Sequence, residues 1–299
     1  MSRRGAAVGA LLFALPLAGC NGVLNPQGPI GQAQKLILID STIIMLAIVV
    51  PVIIATAAFA WWFRASNTRA FYWPDWAFSG HLELIVWAIP TLVITFLGGI
   101  AWFGSQALDP FRPIPSEAKP ISVDVVSLDW KWLFIYPEEG IATVNQLVIP
   151  AGTPIHFRLT SSGVMNGFFV PQLGSMVYSM AGMISQLHLE ADKPGEFLGM
   201  STVFSGDGFP TMMFKVRSVS TQDYAKWVAD TQKAGSKLNW DVYAKLAEPS
   251  MAVPPRTYAP VERGLFDIVL GKTINPKAVA AANSAWAWCR PAASSREGL

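Results

Sequence analysis

"ISVDVVSLDWKWLFIYP", residues 121–137, is the stretch on which the reading of the fold turns. Ile121, Val123 and Val125 alternate with Ser122 and Asp124, the period of two that puts apolar side chains on one face of a β-strand. The same alternation returns in "PIHFRLTS" (154–161), where Ile155, Phe157 and Leu159 share one face and His156 and Arg158 the other. In "QLHLE" (186–190), Leu187 and Leu189 oppose Gln186, His188 and Glu190. Short strands separated by Gly and Pro turns predict an all-β, two-sheet Greek-key sandwich over residues 111–218. Because His156 and His188 share their faces with charged neighbours, both are expected to point to solvent. Neither has a His or Cys at metal-ligand spacing. No Ser-His-Asp or Cys-His arrangement, P-loop or dinucleotide-binding glycine pattern is present, so no catalytic residue is assigned.

Upstream, a Pro-rich connector, "LDPFRPIPSEAKP" (108–120), separates this pattern from a very different one. No charged residue occurs from Ser41 to Phe63, a run of 23, or from Leu84 to Leu108, a run of 25. At 1.5 Å per residue these reach roughly 34 and 37 Å, enough for a hydrocarbon core of about 30 Å. Two transmembrane helices are therefore expected, at about residues 38–63 and 83–107, forming a hairpin within residues 20–110. Pro51 and Pro90 lie inside them, which membrane helices tolerate. The whole chain of 299 residues is 52% hydrophobic and only 14% charged, against about 25% charged in a soluble protein. Its net charge of +2 and lack of a basic run give no support to nucleic-acid binding.

The short link between the helices carries Arg64 and Arg69, which makes it cytoplasmic by the positive-inside rule. The N-terminus and the β-domain then lie outside. Residues 1–20, "MSRRGAAVGALLFALPLAGC", have the basic start and short apolar run of an export signal over residues 1–19. The ending Leu17-Ala18-Gly19-Cys20 resembles a bacterial lipobox, so Cys20 is expected to carry lipid, palmitate included, on the same side of the membrane. Cys289 then has no partner within the chain for a disulfide. Glu83 and His81 stand where the second helix enters from the cytoplasm; Glu83 reads either as an interfacial charge or as a proton-entry group.

Beyond the sandwich, "TQDYAKWVADTQKAG" (221–235) and "NWDVYAKLAEPS" (239–250) have helical spacing, and an Ala- and Pro-rich tail follows. Residues 219–299 are therefore expected to form a short helical C-terminal extension and tail.

The segment from Val125 to Met183, with its "DWKWLFIYP" and "VMNGFFVPQLGS" stretches, closely resembles subunit II of the bacterial cytochrome bo-type ubiquinol oxidases, in the haem–copper oxidase superfamily. The resemblance runs from the lipobox to about residue 270 and implies a cupredoxin-like sandwich. In the related cytochrome c oxidases this domain holds a dinuclear copper centre, with a His ahead of "VP.LG" and a later Cys-x3-Cys-x3-His-x2-Met run. Here Asn166 stands at the first His, Ser201 and Ser205 at the cysteines, Phe209 at the second His and Met212 at the methionine; Val203 takes the carbonyl-donating position. Hydroxyls do not replace soft bridging thiolates, and Phe has no lone pair to donate. The resemblance therefore implies a degenerate copper site and no metal in this chain. Met212, with Met165, Met176, Met180, Met183 and Met200, is expected to fill core space.

The resemblance further implies a non-catalytic subunit of a proton-pumping ubiquinol oxidase, fed by ubiquinol and not by cytochrome c, in the bacterial inner membrane. Its partners would be subunits I, III and IV and membrane lipid, with haem and copper held by subunit I. It places Glu83, by its distance to Pro90 in "ELIVWAIP", at the mouth of a proton channel, and Trp130 and Trp132 at the contact with subunit I. The competing reading is a membrane-anchored periplasmic copper-binding or chaperone protein, using the methionines with His156 or His188.

Overall fold

A computed structural model describes residues 22–71 and 73–272. Cys20 and Cys289 lie outside the described residues. The chain divides into two units, Ala33–Asp109 and the residues on either side of it.

The first unit holds the bulk of two long helices, α1 (Pro29–Trp62) and α2 (Gly80–Ala107), both long and apolar enough to cross a membrane. Large apolar side chains are bare along them: Leu84 is 69% exposed and Trp87 73%. Such surface suits lipid or partner helices. Hydroxyls fold back onto the helix itself, as Thr42 donates to the Leu38 carbonyl at 2.6 Å and Thr91 to Trp87 at 2.7 Å. Helix α1 begins at Pro29 and not near residue 38: proline suits a first helical turn, and Lys35 and Asp40 extend the helix beyond the uncharged run. Helix α2 starts at Gly80, three residues before the expected 83, so Glu83 falls in its first turn, where a carboxylate complements the helix dipole.

The second unit is a two-sheet sandwich. Its strands are β1 (Ile121–Leu128), β2 (Lys131–Tyr136), β3 (Ile141–Val144), β4 (Gln146–Pro150), β5 (Ile155–Ser161), β6 (Asn166–Val170), β7 (Gly174–Ser179), β8 (Ser185–Leu189), β9 (Gly195–Ser201) and β10 (Met213–Val219). Three helices and two strands follow: α3 (Thr221–Ala234), β11 (Ser236–Leu238), α4 (Trp240–Ala247), β12 (Arg256–Val261) and α5 (Leu265–Lys272). One sheet has the order β11-β12-β3-β2-β1-β5-β8, the other β4-β10-β9-β6-β7. Between them lies a core of Val123, Val125, Phe134, Phe157, Phe168 and Phe214, with Trp132 at its centre.

The C-terminal extension forms the expected helices at α3 and α4 and adds two strands that were not expected. Strand β12 pairs antiparallel with β3 and carries β11 on its outer edge, so the extension widens the sheet by two strands. Its helices then cover the sheet's other face, where Tyr243, Leu246, Leu265, Phe266 and Val269 meet Val126, Leu133 and Ile135. Strands β1 and β2 are consequently buried on both faces. That is why Asp124, read from the alternation as outward, is 2% exposed. It is held by two nitrogens of the Arg158 guanidinium, Nε and Nη2, each at 2.7 Å. Desolvation raises the Asp124 pKa, with the arginine opposing that shift.

Candidate functional site

The positions aligned with copper ligands sit at one end of the sandwich. Asn166 opens β6 and Ser201 ends β9, and the pairing of Phe168 with Ser201 brings the two strands side by side. Ser201 Oγ donates to Asn166 Oδ1 at 3.1 Å, and Asn166 Nδ2 donates to the Val164 carbonyl at 3.1 Å. Both residues are buried, at 6% and 2% exposure. The carbonyl of Val203 lies 3.4 Å from the same Ser201 hydroxyl.

The following loop closes over this pair. A short 3-10 turn, Phe209–Thr211, returns the chain to β10, with the Met212 amide donating to the Phe209 carbonyl at 3.0 Å. Met212 is 1% exposed and belongs to the core, its sulfur 4.0 Å from the Ser205 hydroxyl. Phe209 turns away to meet Phe204 edge-on at 5.7 Å. Asn166, Ser201, Val203, Ser205 and Met212 are thus brought together, and Phe209 is not directed at them. The assembled donors are hydroxyls, an amide, a backbone carbonyl and one thioether. They include no thiolate and no imidazole, the soft and intermediate ligands a dinuclear copper centre needs, so this donor set does not fit that group. No group of three or more His, Cys, Asp or Glu with metal-site geometry occurs among the described residues.

Trp130 seals the loop from the side. The β1–β2 turn holds it at φ 63°, a left-handed conformation unusual for a bulky residue. Its indole Nε1–H donates to the Ser205 carbonyl at 3.0 Å, and the ring lies against Gly206 and Gly208. A Cβ on Gly208 would overlap the indole, so glycine is required for that approach. Trp132, expected beside Trp130 at a subunit contact, is 0% exposed and packs edge-on against Phe168 at 5.4 Å and Phe214 at 5.7 Å. It is a core residue of this chain, because its strand faces inward between the sheets. Its indole nitrogen has no hydrogen-bond partner among the described residues.

Other expectations change as well. Met165, Met176 and Met183 are 42%, 37% and 40% exposed, on the surface and not in the core. Met176 and Met183, with Met180, Phe111 and Tyr178, line an apolar groove of about 260 Å³. His188 is 7% exposed and does not face solvent: its ring stacks on half-buried His156, centroids 4.7 Å apart and planes 12° from parallel. Glu83 belongs to the other unit.

Two residues that sequence reasoning passed over bind the C-terminal extension to the loop end. Lys131, 0% exposed, donates from Nζ to the carbonyls of Asp129 at 3.2 Å and Glu248 at 2.7 Å and to Ser250 Oγ at 2.6 Å. Desolvation lowers its pKa, opposed by Asp129 and Glu248. Asn145, at φ 53°, accepts from the Trp132 amide at 2.9 Å and donates to the Val253 carbonyl at 2.8 Å. A lysine between two tryptophans in an apolar strand was the available signal, since a buried ammonium needs fixed acceptors.

Comparison with known proteins follows this geometry. Residues 118–219 match the family described as cytochrome c oxidase subunit II, periplasmic domain, and residues 232–277 match the COX aromatic-rich motif. The chain is 49% identical to the cytochrome bo(3) ubiquinol oxidase subunit 2 of Pseudomonas aeruginosa, over 88% of this chain and 80% of that protein. It is 48% identical to the ubiquinol oxidase subunit 2 of Acetobacter aceti, over 91% and 89% of the two chains. Among solved structures, the periplasmic domain of subunit II of cytochrome oxidase from Bradyrhizobium japonicum covers 41% of this chain and 98% of its own, at 20% identity and a TM-score of 0.38.

Proposed function

The chain belongs to the subunit II family of the cytochrome bo3-type ubiquinol oxidases, and on that premise we propose that it is the copper-free subunit II of a quinol-fed, proton-pumping oxidase. As subunit II of a haem–copper ubiquinol oxidase it assembles with subunit I in the inner membrane, as a two-pass protein with a periplasmic domain. The finer reading is that electrons never pass through this chain. Ubiquinol is oxidised, and oxygen reduced, at the haem and copper groups of subunit I; cytochrome c is not a donor. Lipid on Cys20 adds a second membrane anchor, and subunits III and IV complete the complex.

The observation carrying this reading is the donor set at the aligned positions. Ser201 and Asn166 spend their polar atoms on each other and on the Val164 carbonyl, and Met212 is a core side chain. What the site does instead is hold the loop end in shape. Trp130 and the bare Phe204, 74% exposed, then offer an apolar contact to subunit I. Glu83, at the cytoplasmic start of α2, is read as the entrance group of a proton channel of subunit I.

Affinity extraction of the tagged chain in mild detergent tests the proposal. Haem and ubiquinol oxidase activity should co-purify, without the near-infrared or paramagnetic signature of a mixed-valence copper pair. A haem-free preparation, or stoichiometric copper on the isolated chain, would overturn it and favour a copper carrier.

A further inference from the structure

His156 and His188 are directly opposed across the β5–β8 pairing. Their stacked rings sit where the connector from α2 first reaches the sandwich. The carbonyl of Pro110, the first residue of the domain unit after the hairpin, lies 3.2 Å from the His188 backbone nitrogen and 3.1 Å from its Nδ1. One carbonyl therefore takes two hydrogen bonds from one residue, and accepting from the ring requires a proton on Nδ1. On the far side of the stack, His156 Nε2 meets Gln186 Oε1 at 3.2 Å. We propose that the His156–His188 pair is an acid-sensitive clasp that holds the membrane-derived connector at Pro110 to β8 while both rings are neutral, and releases it as the periplasm acidifies.

The charged surroundings set the direction. From β5 the pair meets Arg158, whose guanidinium is engaged by Asp124 of β1 and attracted by Asp267 of α5. From β8 the same face carries Gln186 and Glu190, and Asp109 and Arg112 flank Pro110 in the connector. Asp124 is bound by Arg158 through two hydrogen bonds. His188 is buried and faces a second imidazole. Burial depresses the His188 pKa below its usual value of 6.5, and His156 pushes the same way against the Pro110 bond. For a histidine held lower in the closed form than in the open one, the closed form is favoured above about pH 6.5. It loses that advantage as pH falls below that value, because the open form binds protons that the clasp excludes. Two cationic rings at this spacing repel, so full protonation is incompatible with the stack.

The backbone N–H of His188 reports the clasp directly, since its acceptor is Pro110. Hydrogen exchange followed by mass spectrometry on the detergent-solubilised full chain, between pH 7.5 and 5 and corrected for intrinsic rates, reads its opening. The opening constant should rise by up to tenfold per pH unit for each proton taken up, while amides of β2 hold their protection. The His156→Gln variant should keep the protection at pH 7.5 and lose part of the pH dependence. A flat profile for the His188 peptide in the unmodified chain would overturn the proposal without recourse to any variant. So would a loss of protection spread equally over β2, which marks general acid unfolding.

Discussion

Ser201 gives its hydroxyl proton to the side-chain oxygen of Asn166 at 3.1 Å, joining the ends of β9 and β6 through the two positions aligned above with a cysteine and a histidine of the related cytochrome c oxidases. The bond is a structural tie between two buried residues. Replacing Ser201 with Ala leaves a 2% exposed amide oxygen without its donor. The expected cost is about 1–3 kcal/mol, read as a lower urea midpoint of the detergent-solubilised chain. An unchanged midpoint would mean that the tie contributes nothing.

Trp130 stays folded over the loop because residue 208 has no side chain. Gly208→Ala should displace the indole and break its bond to the Ser205 carbonyl. Tryptophan emission should shift, and the yield of oxidase complex should fall while the isolated chain stays folded. Normal assembly would remove Trp130 from the contact with subunit I.

Trp132 is a test of packing alone. Its ring is enclosed by Phe168 and Phe214, and its indole nitrogen is unpartnered among the described residues. Trp132→Phe keeps an aromatic and gives up no observed hydrogen bond, so it should be far milder than Trp132→Ala, which should cost about 3–5 kcal/mol. Equal losses in thermal melts would contradict the packing account.

Lys131 fastens residues 248–250 through two of its three Nζ contacts, those to the Glu248 carbonyl and Ser250 Oγ. Lys131→Met fills the strand position without donors, and the Glu248 carbonyl and Ser250 lose their partner. Limited proteolysis should then cut near residues 248–253 at least several-fold faster, with the sandwich itself resistant. Cutting at the original rate would show that the helices alone hold this segment.

Glu83 lies in the first turn of α2, outside the periplasmic domain. Glu83→Ala should slow oxygen uptake in fully assembled enzyme, and Glu83→Asp should restore part of it. Turnover and proton pumping equal to the unmodified complex would leave Glu83 as an interfacial charge only.

Local chemistry was enough for the two membrane helices, because an uncharged run of 23 or 25 residues has few other uses. It was also enough for β1, β5 and β8, whose period of two is a local property; the grouping of Asn166, Ser201, Ser205 and Met212 came from the family resemblance and not from local pattern. What could not be read locally was which faces are covered. Asp124 and His188 alternate as if exposed, yet the C-terminal helices cover the sheet face of the first and the Pro110 connector packs against the second. Lys131 likewise finds its acceptors 117 and 119 residues away, at Glu248 and Ser250. The sequence by itself determined the two apolar helices, the strands and the residue types that stand at positions 166, 201, 205, 209 and 212. Only the tertiary structure decided that Trp132 is core, that the extension adds strands to the sheet, and that two histidines share a stack. Periodicity records which side of a strand is apolar, whereas burial of the other side depends on segments far away in the chain.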